Sequence, residues 1–161
     1  MAAVVFPTNS ALLTPELLTA ALSERQPGVT VAGVRVVEEA HCDTGSASTA
    51  GRAVLDLDYV AGCDRGLPHR MVLKTVLIHP GAPSAMYRNE VCFYRDLRPD
   101  LDIETPRVFA STFDEESGTF GVMMEDVRLR SARFPNATES MTEPPTIRSA
   151  SAPPVAAKPP L

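Results

Sequence analysis

The chain has 161 residues, of which 44% are hydrophobic and 22% charged, enough for one domain with its own core. A formal net charge of −5 at pH 7 provides no basic field, so we expect no nucleic-acid partner. No apolar run approaches the ~20 residues that span a bilayer, and the N-terminus lacks signal-peptide features, so we expect a cytoplasmic protein without membrane contact. Three cysteines and three histidines at wide spacings predict neither disulfides nor a metal site.

The first predicted helix begins after Thr14, a good N-cap residue, and has Pro15 at its first position followed by an acid. Apolar residues then recur at helical spacing, and Pro27 with Gly28 predicts the end of the helix. Residues 29–39 are rich in valine and predict the first strand.

The middle of the chain predicts four more strands and one more helix. Residues 52–60 alternate between apolar and acidic side chains, whereas residues 71–78 form a nearly continuous apolar run typical of a central strand. A helix is predicted over 84–97, and a hairpin over 107–113 and 119–124, whose five-residue connection ends in glycine. Neighbouring strands joined by short turns favour an α+β fold, an antiparallel five-stranded sheet with a packed helix.

The C-terminal segment differs in composition from the rest of the chain. Residues 135–161 contain seven of the 15 prolines, and Pro, Ala, Ser and Thr make up 18 of these 27 residues. Such a segment buries too little apolar surface to offset the entropy of ordering it. We therefore predict one folded domain over 1–134 and a disordered tail over 135–161.

Lys74 and Glu90 are the two charged residues that the patterns place among apolar neighbours. Lys74 interrupts the predicted central strand, and Glu90 lies between Met86, Tyr94 and Leu97 on a helical wheel. A carboxylate on a buried face needs a partner, and Lys74 is the charge embedded in the neighbouring strand, so we expect an ion pair. The alternatives are a lysine near a sheet edge that reaches water and a salt bridge with only a structural role.

Two further segments have weaker signals. The small-residue loop that contains Gly45 and Ser46 precedes the second strand, where it would suit either a phosphate-covering loop or an ordinary flexible hairpin. After the last strand the sequence changes from apolar to acidic over Glu125, Asp126 and Val127. This change indicates either a strand end or a hinge whose backbone groups would hold the edge of an adenine.

In order and spacing, these segments resemble the N-terminal lobe of the aminoglycoside phosphotransferase-like family, which has a kinase-like fold. The resemblance implies that Lys74 contacts the α and β phosphates of ATP bound with Mg²⁺, and that Glu90 holds this lysine. It also implies that Gly45 and Ser46 approach the phosphates, that Glu125 to Val127 form the hinge, and that a small-molecule hydroxyl is phosphorylated. The stretches that carry it are 55–60, 71–75, 88–94, 105–108, 122–127 and 132–136.

The sequence departs from that family in its C-terminal part. A His-Gly-Asp-type catalytic loop does not follow the predicted hinge, and no histidine follows His79, so we assign no catalytic residue and no metal ligand. We expect the chain alone to lack kinase activity, and we hypothesise that a stop or frameshift near Thr138 replaced the second lobe. The alternatives are a non-catalytic module that binds a protein partner or self-associates, and a plain α+β binding domain in which Lys74 and Glu90 are accidental.

Overall fold

A computed structural model describes residues 4–40, 50–76 and 84–130. The predicted tail and the glycine and serine of the predicted phosphate loop, Gly45 and Ser46, lie outside these residues. The helices are α1 (Pro15–Ser23) and α2 (Ser84–Cys92), and the strands are β1 (Val31–Ala40), β2 (Gly51–Tyr59), β3 (Arg70–Thr75), β4 (Val108–Phe113) and β5 (Phe120–Glu125). A π-helical stretch, Phe93–Leu97, continues α2, and 3-10 turns occupy Ser10–Leu12, Arg98–Asp100 and Val127–Arg130.

The five strands form one antiparallel sheet in the order β1-β2-β3-β5-β4. Three pairs are consecutive in the chain, and α2 lies in the connection that takes the chain from the central strand β3 to the edge strand β4. The predicted α+β fold with a five-stranded antiparallel sheet is therefore confirmed. Among the described residues, none of the helices has the length and apolar character needed to span a bilayer.

Helix α1 follows its sequence signals at the start and ends earlier than predicted. The Thr14 hydroxyl accepts a hydrogen bond from the Leu17 amide at 3.3 Å, which satisfies one of the free N–H groups of the first turn. The helix ends at Ser23, and turns lead to Gly28, whose φ of +86° suits glycine. Leu18 and Leu22 are fully buried and belong to the core that α1 forms with the sheet.

The two faces of the sheet carry two separate apolar clusters. The first contacts α1 and contains the alternate β3 residues Met71 and Leu73. The second contacts α2, where the rings of Tyr87 and Phe120 stack with centroids 4.3 Å apart. Because strand side chains alternate between faces, Val72 and Lys74 of β3 point toward the α2 side of the sheet.

The predicted helix over 84–97 is correct in position but wrong in its buried face. The wheel centred that face on Glu90, whereas Tyr87 and Val91 are the buried residues and Met86 and Leu97 are more than half exposed. On the wheel, apolar residues lie on both sides of Glu90, and only the side of Tyr87 and Val91 is buried. Beyond Cys92 the hydrogen bonds run from i to i+5, which displaces later residues from their α-helical angles.

Candidate functional site

Lys74 lies on the central strand β3 and faces the α2 side of the sheet. Its cross-strand neighbours are Arg52 on β2 and Val122 on β5. The alternative of a lysine near the sheet edge is wrong, because hydrogen-bonded strands lie on both sides of β3. An ammonium group in this position must find its partner within the protein or in a bound ligand.

Glu90 of α2 is that partner. The Lys74 Nζ donates hydrogen bonds to Glu90 Oε1 at 2.7 Å and to Oε2 at 2.8 Å, and each side chain is 23% exposed. The predicted ion pair is confirmed, although Glu90 lies at the margin of the buried helix face and not at its centre. Two of the three ammonium hydrogens are thereby directed to the carboxylate, and one remains for another acceptor.

A cavity of about 430 Å³ lies next to this pair on the same side of the sheet. One wall is a cross-strand row, in which Val72 of β3 pairs with Val54 of β2 and with Met124 of β5. The adjacent row contains Lys74 and Arg52, so the cavity changes from apolar to cationic over two residues along β2 and β3. The remaining lining residues are Glu38, Ala40, Glu90, Tyr94, Pro106, Glu125, Asp126, Val127 and Arg128.

The end of β5 forms the border of the apolar part of the cavity. Glu125 and Val127, the predicted hinge residues, both line it. The Glu125 amide donates to the Arg107 carbonyl at 2.9 Å, and the Glu125 carboxylate accepts from the Arg107 amide and from the Arg130 guanidinium, both at 2.7 Å. These bonds fix the backbone as it leaves the sheet.

Comparison of the chain with protein-family models, with curated proteins and with solved structures finds no match. What the cavity can bind therefore follows from its own side chains. The side chains of Val54, Val72 and Met124 offer an apolar surface, and those of Lys74 and Arg52 offer cations at one end. An aromatic base with an anionic substituent fits this division of the cavity.

Arg128 is a lining residue to which the sequence patterns gave no role, and its partner Asp126 was predicted only as part of the hinge. The Arg128 guanidinium donates to both Asp126 carboxylate oxygens, at 2.9 and 3.0 Å, and to Glu38 at 2.9 Å. The hydrogen bonds from Arg128 lower the pKa of Asp126 despite its burial. The local Asp-x-Arg spacing could have suggested the first contact, but Glu38 is 90 residues away in the chain, and no periodicity connects them.

Tyr94 is the cavity residue that the π-helical stretch contributes. Burial, and secondarily the nearby charge of Glu90, raise the pKa of its phenol. The Tyr94 carbonyl accepts a hydrogen bond from Arg25 at 3.2 Å, and the same guanidinium nitrogen donates to the Ser111 hydroxyl at 3.2 Å. Arg25 follows the end of α1, and its guanidinium thus links this part of the chain to the edge strand β4 and to the segment that carries Tyr94.

The cavity carboxylates do not form a metal site in the part of the chain that the structure describes. No three side chains of the metal-ligating types come together there. Glu90 is bound by Lys74, and Asp126 by Arg128, so each already has a cationic partner. The described residues therefore bring together no group of ligands for the Mg²⁺ that the resemblance implies beside ATP.

Proposed function

We propose that this cavity binds ATP, in the manner of the N-terminal lobe of an aminoglycoside phosphotransferase-like protein. The observation that supports this most directly is the Lys74–Glu90 ion pair, which lies at the cationic end of an apolar cavity formed by the sheet. In this arrangement Glu90 fixes the lysine so that its remaining hydrogen points to the α and β phosphates. The base lies against the apolar row next to the end of β5.

The apolar row is suited to an adenine ring. Val54, Val72 and Met124 are contiguous across three strands, so their side chains form one surface without a polar interruption. Backbone groups near Glu125 and Val127 border this surface, where the polar edge of a base would lie. Burial of the ring and pairing of its edge would together orient the nucleotide with its phosphates toward Lys74.

The proposed activity of the described residues is binding and not phosphoryl transfer. Transfer to a hydroxyl requires a group that positions the acceptor and ligands for the metal ions that neutralise the phosphates. Residues 4–40, 50–76 and 84–130 bring together no such metal-ligating group. The kinase-like assignment therefore rests on the nucleotide cavity.

Isothermal titration of the purified chain with ATP, with and without Mg²⁺, tests this proposal. We expect saturable binding to the wild type and a loss of at least about tenfold in affinity for Lys74→Met. Arg95→Met is the control, because Arg95 is exposed and pairs with its neighbour Asp96 outside the cavity. Equal affinity of the wild type and the Lys74 variant would refute the proposal.

A second candidate function is self-association through the surface that follows α2. Leu97, Leu101 and Ile103 are 58%, 42% and 46% exposed, an unusual density of apolar side chains within seven residues. Sedimentation equilibrium over a range of protein concentrations tests this candidate. A dimer that Leu97→Ser and Leu101→Ser together dissociate would favour it, and a monomer at all concentrations would exclude it.

A further inference from the structure

Arg52 is a second cation beside the ion pair. It lies directly opposite Lys74 in the pairing of β2 with β3, and both residues line the cavity. Side chains opposite each other in an antiparallel pair have Cβ atoms about 4.5–5.5 Å apart, and like charges at such positions repel. An arginine at this position therefore slightly destabilises the sheet when no ligand is bound.

The charge of Arg52 is not compensated within the described part of the chain. Glu90, the acidic member of the ion pair, accepts two short hydrogen bonds from Lys74. No described carboxylate lies within ion-pair distance of Arg52, which is itself exposed. Lys74, Glu90 and Arg52 together therefore carry one net positive charge at this end of the cavity.

Arg52 can donate more hydrogen bonds to a phosphate chain than Lys74 can. Lys74 has one ammonium hydrogen left after its two bonds to Glu90, which is too few for a polyphosphate with several anionic oxygens. Arg52 has five N–H donors in a planar fork that matches two phosphate oxygens at once. Because adjacent strands are about 4.8 Å apart, a polyphosphate lying across β2 and β3 would reach both side chains.

From this geometry we infer that Arg52 is a phosphate-binding residue and that it selects nucleoside triphosphates and diphosphates over monophosphates. This inference rests on the proposed ATP binding and names the ligand class of the same site. Lys74 contacts the α and β phosphates, and Arg52 binds the anionic oxygens of the β and γ phosphates that Lys74 leaves without a donor. The selection follows because a diphosphate or triphosphate has more anionic oxygens than the one free hydrogen of Lys74 can bind, whereas a monophosphate leaves few oxygens for the guanidinium.

Titration of ATP, ADP and AMP into the wild type, Arg52→Gln and Arg52→Lys tests this assignment. We expect Arg52→Gln to weaken ATP binding by roughly tenfold and AMP binding by less than about twofold, because only the longer phosphate chain loses a charged hydrogen-bond partner. Arg52→Lys keeps the charge without the fork and is expected to lie between the two. Arg35→Gln is the matched control, an exposed arginine on β1 that pairs with Asp56 and does not line the cavity.

Inorganic tripolyphosphate, titrated into the same variants, separates the two proposals. If Lys74→Met weakens ATP binding but Arg52→Gln changes neither ATP nor tripolyphosphate binding relative to Arg35→Gln, the role of Arg52 is overturned and ATP binding stands. If the wild type binds tripolyphosphate in an Arg52-dependent way but does not bind ATP, the proposed function fails and the phosphate role of Arg52 is upheld. Absence of binding by either ligand to the wild type overturns both.

Discussion

Replacement of Glu90 by glutamine tests whether the central ion pair stabilises the fold. The variant keeps the shape of the side chain and removes its charge, which leaves the Lys74 ammonium beside a neutral amide. At the observed 2.7 Å, two unit charges attract by about 6 kcal/mol in an effective dielectric of about 20. Most of this attraction offsets the cost of removing both groups from water.

The net loss lies between two known limits. Exposed pairs contribute about 0.2–1 kcal/mol, and breaking a fully buried pair costs about 3–5 kcal/mol. Because Lys74 and Glu90 are each 23% exposed, we expect Glu90→Gln to lower the free energy of unfolding by about 2 kcal/mol. With a urea dependence of about 1–3 kcal/mol/M, the midpoint of urea unfolding falls by roughly 1 M.

A double-mutant cycle with Lys74→Met isolates the interaction from other effects of each substitution. We expect a coupling energy of about 1–2 kcal/mol, because the second substitution removes a charge that the first has left unpaired. Glu115→Gln is the control, since Glu115 and its partner Arg88 are both more than half exposed. A coupling energy below about 0.3 kcal/mol, or equal losses for Glu90→Gln and Glu115→Gln, would refute the assignment of Lys74 and Glu90 as a partly buried pair.

Three other substitutions test separate parts of the structure. Gly121→Ala is expected to cost about 2–3 kcal/mol in urea unfolding, because the added Cβ would overlap the buried ring of Phe6. Hydrogen bonds from arginines, the strongest from Arg70, lower the pKa of Asp56 to about 2, so its stabilising contribution is complete above pH 4 and is lost as the pH falls toward 2. The thermal midpoint of Asp56→Asn should therefore fall less than that of the wild type between pH 5 and pH 2. Arg128→Gln should cost about 1–2 kcal/mol in urea unfolding, because it removes the cationic partner of a buried carboxylate at position 126.

Each of these predictions has a control or a contrary result. Gly62→Ala adds a Cβ that meets nothing within 4 Å, so only its positive φ of +74° should cost about 1 kcal/mol. Glu38→Gln removes the exposed partner of Arg128 and should cost less than about 0.5 kcal/mol. An acid transition that is identical in the wild type and in Asp56→Asn would contradict the reasoning for Asp56.

The sheet and the start of α1 could be predicted because their determinants are local. Thr14 and Pro15 specify a helix start whatever surrounds them, and alternation over β2 marks a strand with one buried face. The orientation of α2 could not be predicted in the same way. Its buried face depends on which side meets β4 and β5, and the π-helical stretch after Cys92 changes the periodicity on which a wheel relies.

The same distinction applies to the candidate site, where one contact could be predicted from the sequence and others depend on the folded sheet. Lys74 and Glu90 could be paired from sequence because an embedded charge requires an opposite one nearby, which is a constraint that needs no coordinates. The contact of Arg128 with Glu38 and the opposition of Arg52 to Lys74 depend on strand order and register. A pattern along one strand does not contain the register of its neighbour, so both contacts became visible only in the folded sheet.

The register that brings these groups together is fixed on the other face of the sheet. Met71 and Leu73 are buried in the apolar cluster that contacts α1. A shift of β3 by one residue would place both of them in the cavity and would bury Lys74 in that apolar cluster. The large cost of burying an unpaired ammonium group among apolar side chains excludes that register. The charge of Lys74 therefore helps to specify the register of the central strand. The same register places Lys74 beside both Glu90 and Arg52 at the cationic end of the cavity.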